Sequence, residues 1–198
     1  VVKDVWSRVV NAAKGAALGT GTTYDLQLTA SVYSLLPNET LAKVQQRALE
    51  QVGGFTYTAD ERAFAERLQK SESFTAVPLD VAKVVKPLRI GQAGAASTDV
   101  GDVSWVVPTV QLSAATWVPG TAAHSWQAVA AGGMSIGFKG MMVAAKTMAL
   151  TGADLFTSPA TIAAARTELV SKRGTGFKYE TALGTQAPQL DYRKGSVP

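Results

Sequence analysis

Residues 22–33 read TTYDLQLTASVY, and the fold turns on how this stretch is read. Tyr24, Leu26, Leu28, Ala30 and Val32 alternate with Thr23, Asp25, Gln27, Thr29 and Ser31. A period of two puts the two sets on opposite faces. That is the pattern of a half-buried strand with one wet face, as in an antiparallel sheet covered on one side. Just upstream, Val5, Val9, Ala12, Ala13 and Ala16 recur at three- and four-residue spacing, which predicts an amphipathic helix over 3–18. Asp4 suits its positive end, and Gly19-Thr20-Gly21 stops it. One helix and one strand do not bury each other's apolar faces. The missing strands are therefore expected upstream of Val1 or from another chain. The chain opens without Met and without a signal-peptide pattern, at or just before a helix, and is expected to be part of something longer.

Downstream, Asn38 is a good N-cap after Pro37, and Leu41, Val44, Ala48 and Val52 give a helix face that Gly53-Gly54 closes. Thr58-Ala59-Asp60-Glu61 has the capping-box pattern, and the helix behind it, to about Gln69, is expected to bury Phe64, Ala65 and Leu68. Residues 71–90 hold two prolines and mixed charge, and read as a loop or a weak helix around Val81–Val85. Val103–Val107 and Thr109–Thr116 are apolar and β-branched, split by Pro108. The second reads as a buried strand. The first is either a short helix or the approach to that strand. A long helix is expected over 134–150 with Met141, Met142, Ala145, Met148 and Ala149 on its buried side. Ser158-Pro159 opens another helix, which runs to about Lys172-Arg173 and stops at Gly174. Residues 175–198 read as a tail. There is no internal repeat.

With 46% apolar and 17% charged residues the composition is that of a soluble globular chain. Its apolar runs are short and interrupted by glycine, so no segment is expected to span a bilayer. The net charge of +4 is scattered, with local pairs only at Lys172-Arg173 and Arg193-Lys194, and this does not make a nucleic-acid surface. The chain holds no cysteine, hence no disulfide and no thiolate metal site, which fits a cytoplasmic protein.

The residues able to carry chemistry cluster late. His124, the one histidine, follows Pro119-Gly120-Thr121-Ala122-Ala123 and precedes Ser125-Trp126. This puts it in a loop or at a helix start, where functional side chains are often placed. The alternative is a structural histidine, hydrogen-bonded near the surface. Ser97-Thr98-Asp99 with Asp102 forms a second candidate, a small polar run that lets backbone approach a ligand. Its alternative is a turn capping a short helix at 99–105. Trp117 and Trp126 suit either an acyl or aryl pocket or the core. No HExxH, GxSxG or Walker loop is present. A hydrolytic metal site needs three or more ligands and a nearby base, which His124 and a few aspartates do not supply.

Two segments are more specific: GAASTDVGDVSWVVPT at 94–109 and PGTAAHSWQAVAAGGMSIGFKGMMVAAK at 119–146. With LLPN at 35–38 and YTADERAFAERLQ at 57–69, they make the chain resemble the aminoacylase/carboxypeptidase-like metallopeptidases (amidohydrolases). Within that family the likeness is to the subgroup acting on p-aminobenzoyl-glutamate. The resemblance implies an α/β catalytic domain with two divalent metals, zinc or manganese, and an inserted α+β ferredoxin-like lid that forms homo-oligomers. It implies hydrolysis of the amide bond of N-acyl or aryl amino acids or dipeptides by a metal-activated water, with a glutamate as general base. His124 matches the family's last metal ligand. Thr98-Asp99, with Ser97, matches an element lining the active-site floor, and Asp102 is carried with them as substrate-binding.

On this resemblance residues 1–36 are the last helix and strand of the lid, and residues 37–198 are the C-terminal part of the catalytic domain. The family's other ligands and its general base belong to an N-terminal half that has no counterpart here. The expected partners are therefore a small-molecule amide substrate and the missing segment or a second chain, with no nucleic acid and no membrane. The competing expectation is a non-catalytic binding or assembly subunit that keeps the fold without a complete metal site.

Overall fold

Among the described residues, 22–33 form no strand ladder. The computed structural model describes residues 2–71, 77–91 and 96–187, and among them all regular structure is helical. The α/β catalytic domain and the ferredoxin-like lid strand expected from the sequence are therefore corrected to a helical architecture. The cause is that a strand is a property of pairs. The alternation at 22–33 is real, but no described segment offers it a ladder, and Tyr24, Leu26 and Val32 stay exposed. Thr109–Thr116, expected as a buried strand, likewise forms no ladder among the described residues, with Val110, Leu112, Ala114 and Thr116 half-buried and Gln111, Ser113 and Ala115 exposed. Residues 72–76 of the expected loop, 92–95 of the small-residue run and 188–198 of the expected tail lie outside the described residues.

The chain divides into two units. One takes in the residues up to Val32 with those from Glu180 onward. Its helix, α1 (Val2–Thr20), forms as expected and ends at Gly21, whose φ of 67° is open to glycine. None of its residues is buried; the apolar stripe that includes Val5 and Val9 faces outward.

The other unit runs from Tyr33 to Tyr179 and holds α2 (Glu39–Val52), α3 (Ala59–Lys70), a 3-10 turn at Leu79–Lys83, α4 (Val100–Val106), α5 (Trp126–Gly132), α6 (Ser135–Thr157) and α7 (Pro159–Arg173). Its core joins Ala65 and Leu68 of α3, Leu79, Val118, Ala131 of α5 and Ile136 of α6, with Tyr57 and Phe64 packed against them. Helix α6 packs on α2 and α7. Its buried side differs from the expected one. Met141, Met142 and Met148 are about half exposed, while Ile136, Gly140, Thr147 and Thr151 are buried. Small residues let the neighbouring backbone approach, and the two threonine hydroxyls donate to carbonyls one turn back, at 2.8 Å to Val143 and 2.8 Å to Thr147. The polar atoms are thus satisfied inside the helix, and burying them costs little.

Two carboxylates fix the helix starts. Glu61 closes the capping box, accepting from the Thr58 N–H at 2.7 Å, and receives the Lys139 ammonium of α6 at 2.5 Å. Glu168 of α7 accepts from the Glu39 and Thr40 N–H groups at 2.6 and 2.9 Å, at the positive end of α2, and from Lys172 at 2.8 Å. Asn38, beside it, accepts from the Leu41 N–H at 3.0 Å and donates to the Ala165 carbonyl at 2.9 Å.

Burial alone would raise the Glu61 carboxyl, but hydrogen bonds from Lys139, Ser135 and the Thr58 backbone outweigh it and bring it down to about 2. Glu168 follows the same logic. Burial is outweighed by Lys172, Thr40 and the α2 N–H groups, and its carboxyl also falls to about 2. Both groups bind a proton more weakly folded than unfolded. Their contribution is complete above the ordinary carboxylate range and is lost as pH falls through about 2. Urea unfolding should therefore show stability dropping by on the order of 3 kcal/mol per group between about pH 5 and pH 2. A flat midpoint over that window would show that neither carboxylate is held as described.

Candidate functional site

The region 97–107 is built around α4. Thr98 Oγ1 accepts from the Val100 N–H at 3.3 Å, while the side chain of Asp99, the N-cap position, makes no capping hydrogen bond. Ser97 and Asp99 are exposed and Thr98 is half-buried. Asp102 is turned to the backbone: its Oδ1 accepts from the Tyr33 N–H at 2.9 Å. Fully buried Ser104 accepts from the Leu36 N–H at 2.8 Å, and the Trp105 indole donates to the Ser34 carbonyl at 2.8 Å. Three polar contacts thus hold residues 33–36 along α4. An aromatic cluster continues the contact, with Trp105 at 5.5 Å from Tyr33 and 5.0 Å from Phe177. Arg173 lies over the Phe177 ring at 5.7 Å and donates to the Trp105 carbonyl. The sequence carries no sign of this anchor, because its partners lie about 70 residues apart and no local pattern links them.

His124 sits elsewhere, on an exposed turn before α5. Its φ is 60°, the left-handed region, where histidine, asparagine and aspartate are the commonest non-glycine residues. Ser125 follows as the α5 N-cap, accepting from the Ala128 N–H at 3.2 Å. The structure therefore places the polar 97–102 run and His124 on different elements. Among the described residues no group of three His, Cys, Asp or Glu side chains stands close enough to hold a metal ion. The described residues do not by themselves fit a metal centre.

A concavity elsewhere in this unit is a separate feature. A cleft of about 1240 Å³ opens between α2, α6 and the stretches 84–89 and 110–117, with Leu49, Val85, Leu112, Trp117 and Val143 among its lining. None of Ser97, Thr98, Asp99, Asp102 or His124 lines it. Of the two tryptophans considered for a pocket, Trp117 lines this cleft and Trp126 is 62% exposed.

Comparison with known proteins adds one decisive finding. The chain is 36% identical over 179 residues to a p-aminobenzoyl-glutamate hydrolase subunit of Escherichia coli (strain K12). It is a relative of that hydrolase subunit. The match covers 78% of this chain and 37% of the relative, so the chain spans little more than a third of the length of the curated protein it matches. No protein-family model and no solved structure matches it. Among the described residues no single helix is long and apolar enough to cross a membrane.

Proposed function

We propose that the chain forms part of an amide-bond hydrolase acting on aryl or N-acyl amino acids of the p-aminobenzoyl-glutamate kind, or on dipeptides. The observation that carries this reading is the 36% identity to a hydrolase subunit across most of the chain. In this reading zinc or manganese is the cofactor, and His124 is one ligand among several, the rest coming from polypeptide outside the described residues. Imidazole and carboxylate donors suit either metal. In support, the His124 ring is exposed and makes no hydrogen bond to another described residue, so its donor nitrogens are open to a ligand. Ser97, Thr98, Asp99 and Asp102 are assigned to substrate contact. Asp102 keeps one oxygen committed to Tyr33 while doing so. No chemical step is assigned to this chain alone.

The test is hydrolysis by the native assembly, purified under non-denaturing conditions through a tag on this chain. Release of glutamate from p-aminobenzoyl-glutamate is expected, with loss on chelation and recovery on adding zinc or manganese. A metal-replete assembly that binds the substrate without cleaving it would overturn the reading. It would favour instead a non-catalytic binding or assembly subunit.

A further inference from the structure

The turn that carries His124 presents a second side chain outward, and local hydrogen bonds hold both in place. Ser125 Oγ donates to the Ala122 carbonyl at 2.7 Å and accepts from the Ala128 N–H at 3.2 Å, so it closes the turn and caps α5 at once. Upstream, the Gln69 amide of α3 donates to the Pro119 carbonyl at 2.9 Å and to the Val77 carbonyl at 2.7 Å, which fixes where the turn begins. The core sets which side of α5 faces in: Gln127, Ala128 and Ala131 are buried, Ala131 completely. With that side inward, Trp126 and Val129, one turn apart, stand outward at 62% and 76% exposure. This reverses the usual arrangement of a surface helix, whose outward face is polar. Trp105 has a structural task in this unit: its indole donates to the Ser34 carbonyl and its ring lies against Tyr33 and Phe177. Trp126 makes no such contact among the described residues.

We propose that Trp126 selects an aryl acyl group in the substrate by stacking on its ring. In p-aminobenzoyl-glutamate the ring is bonded directly to the carbonyl of the amide. A side chain that holds the ring therefore stands next to the groups that act at that carbonyl. Trp126 is two residues from His124, so their Cα atoms are at most about 7.6 Å apart. An indole offers a flat π-face, and aromatic pairs gain from offset stacking beyond the area they bury. Val129 supplies an apolar edge one turn on. An acetyl group has no ring to lay on the indole and little apolar area to bury there. The inference rests on the reading that His124 belongs to the hydrolytic site, and it narrows that reading: among aryl, N-acyl and dipeptide substrates, it selects the aryl ones.

The experiment oxidises the native assembly, purified through a tag on this chain, with hydroxyl radicals and reads Trp126 by mass spectrometry with and without p-aminobenzoate. Trp126 should oxidise readily in the free assembly and be protected by p-aminobenzoate but not by glutamate. Protection already present without ligand would make Trp126 a packing surface for other polypeptide and overturn the proposal, as would oxidation that p-aminobenzoate leaves unchanged. Variants test the selectivity. The ratio of kcat/KM for p-aminobenzoyl-glutamate over N-acetylglutamate should fall about tenfold in Trp126→Leu, near the upper end of what an aromatic pair contributes. It should stay within about threefold of wild type in Trp126→Phe, which keeps a ring. An unchanged ratio in Trp126→Leu, or equal loss on both substrates, would overturn the proposal. If Trp126→Leu does not assemble, or the ring-free substrate is not cleaved, the oxidation of the wild-type assembly still decides. An assembly that cleaves neither substrate but in which p-aminobenzoate protects Trp126 would remove the proposed function and leave the aryl site standing.

Discussion

Replacing His124 with asparagine in the native assembly is expected to lower bound metal and to reduce hydrolysis by more than the roughly 10–100-fold that loss of an outer-shell partner of a metal site causes. The choice of residue matters. His124 stands at φ 60°, and an alanine there adds a backbone penalty of about 1–2 kcal/mol to whatever the lost imidazole does. Asparagine tolerates the left-handed region, and glycine adopts it freely. His124→Asn and His124→Gly should therefore lose metal and activity together while the unfolding midpoint of the isolated chain stays within about 0.5 kcal/mol of wild type, as for other exposed positions. His124→Ala should add a measurable loss of stability. Metal loading and hydrolysis that survive both the asparagine and the glycine variant would remove His124 from the site and with it the histidine-ligand part of the proposed function.

Signals that act within one helical turn are legible in the sequence. Asn38, the Thr58–Glu61 box, the Ser158-Pro159 start and the glycines at 53 and 174 are of this kind, and the helices begin and end at them. The terminal glycines stand at φ 74° and 84°, where side chains are disfavoured. Two other kinds of information are not local. The alternation at 22–33 and 109–116 states what a strand would bury, but pairing needs a neighbour that the described residues do not contain. On α6, apolar content points to the methionines, away from the side that Gly140, Thr147 and Thr151 present to other elements. Small size and internal hydrogen bonding, not hydropathy, choose that side. The candidate site is legible only in part. His124, Ser97, Thr98 and Asp99 stand out by residue type or resemblance, whereas the grip of Asp102, Ser104 and Trp105 on residues 33–36 depends on a fold that brings positions about 70 apart together.

That grip leads to a prediction in which one substitution has opposite signs at two helical glycines. On helix propensity alone, Gly101→Ala in α4 and Gly152→Ala in α6 should both stabilise the chain, each by about 0.5–1 kcal/mol. At Gly152 nothing lies within 4 Å of the added methyl, so the gain should be realised. At Gly101 the methyl would overlap the Tyr33 carbonyl oxygen and stand 3.0 Å from its carbon. Backbone has no rotamer with which to yield. Either α4 or residues 33–36 must move, and the move pulls the Tyr33 N–H from Asp102, the Leu36 N–H from Ser104 and the Ser34 carbonyl from Trp105. Overpacking of this kind costs about 1–3 kcal/mol, and each hydrogen bond lost adds about 0.5–1.5 kcal/mol. With all three bonds lost, Gly101→Ala should therefore destabilise by about 2.5–7.5 kcal/mol, the sum of those terms. The Tyr33 and Leu36 amides should exchange at least about tenfold faster, the factor that corresponds to about 1.4 kcal/mol. Equal stabilisation by both alanines would mean that residues 33–36 do not lie against α4, and that Asp102 is free of the backbone bond that now occupies one of its oxygens. Opposite signs would tie the stability of this unit to the same helix that carries Asp102, so that a change aimed at the candidate substrate contacts has to be judged against the fold it also holds.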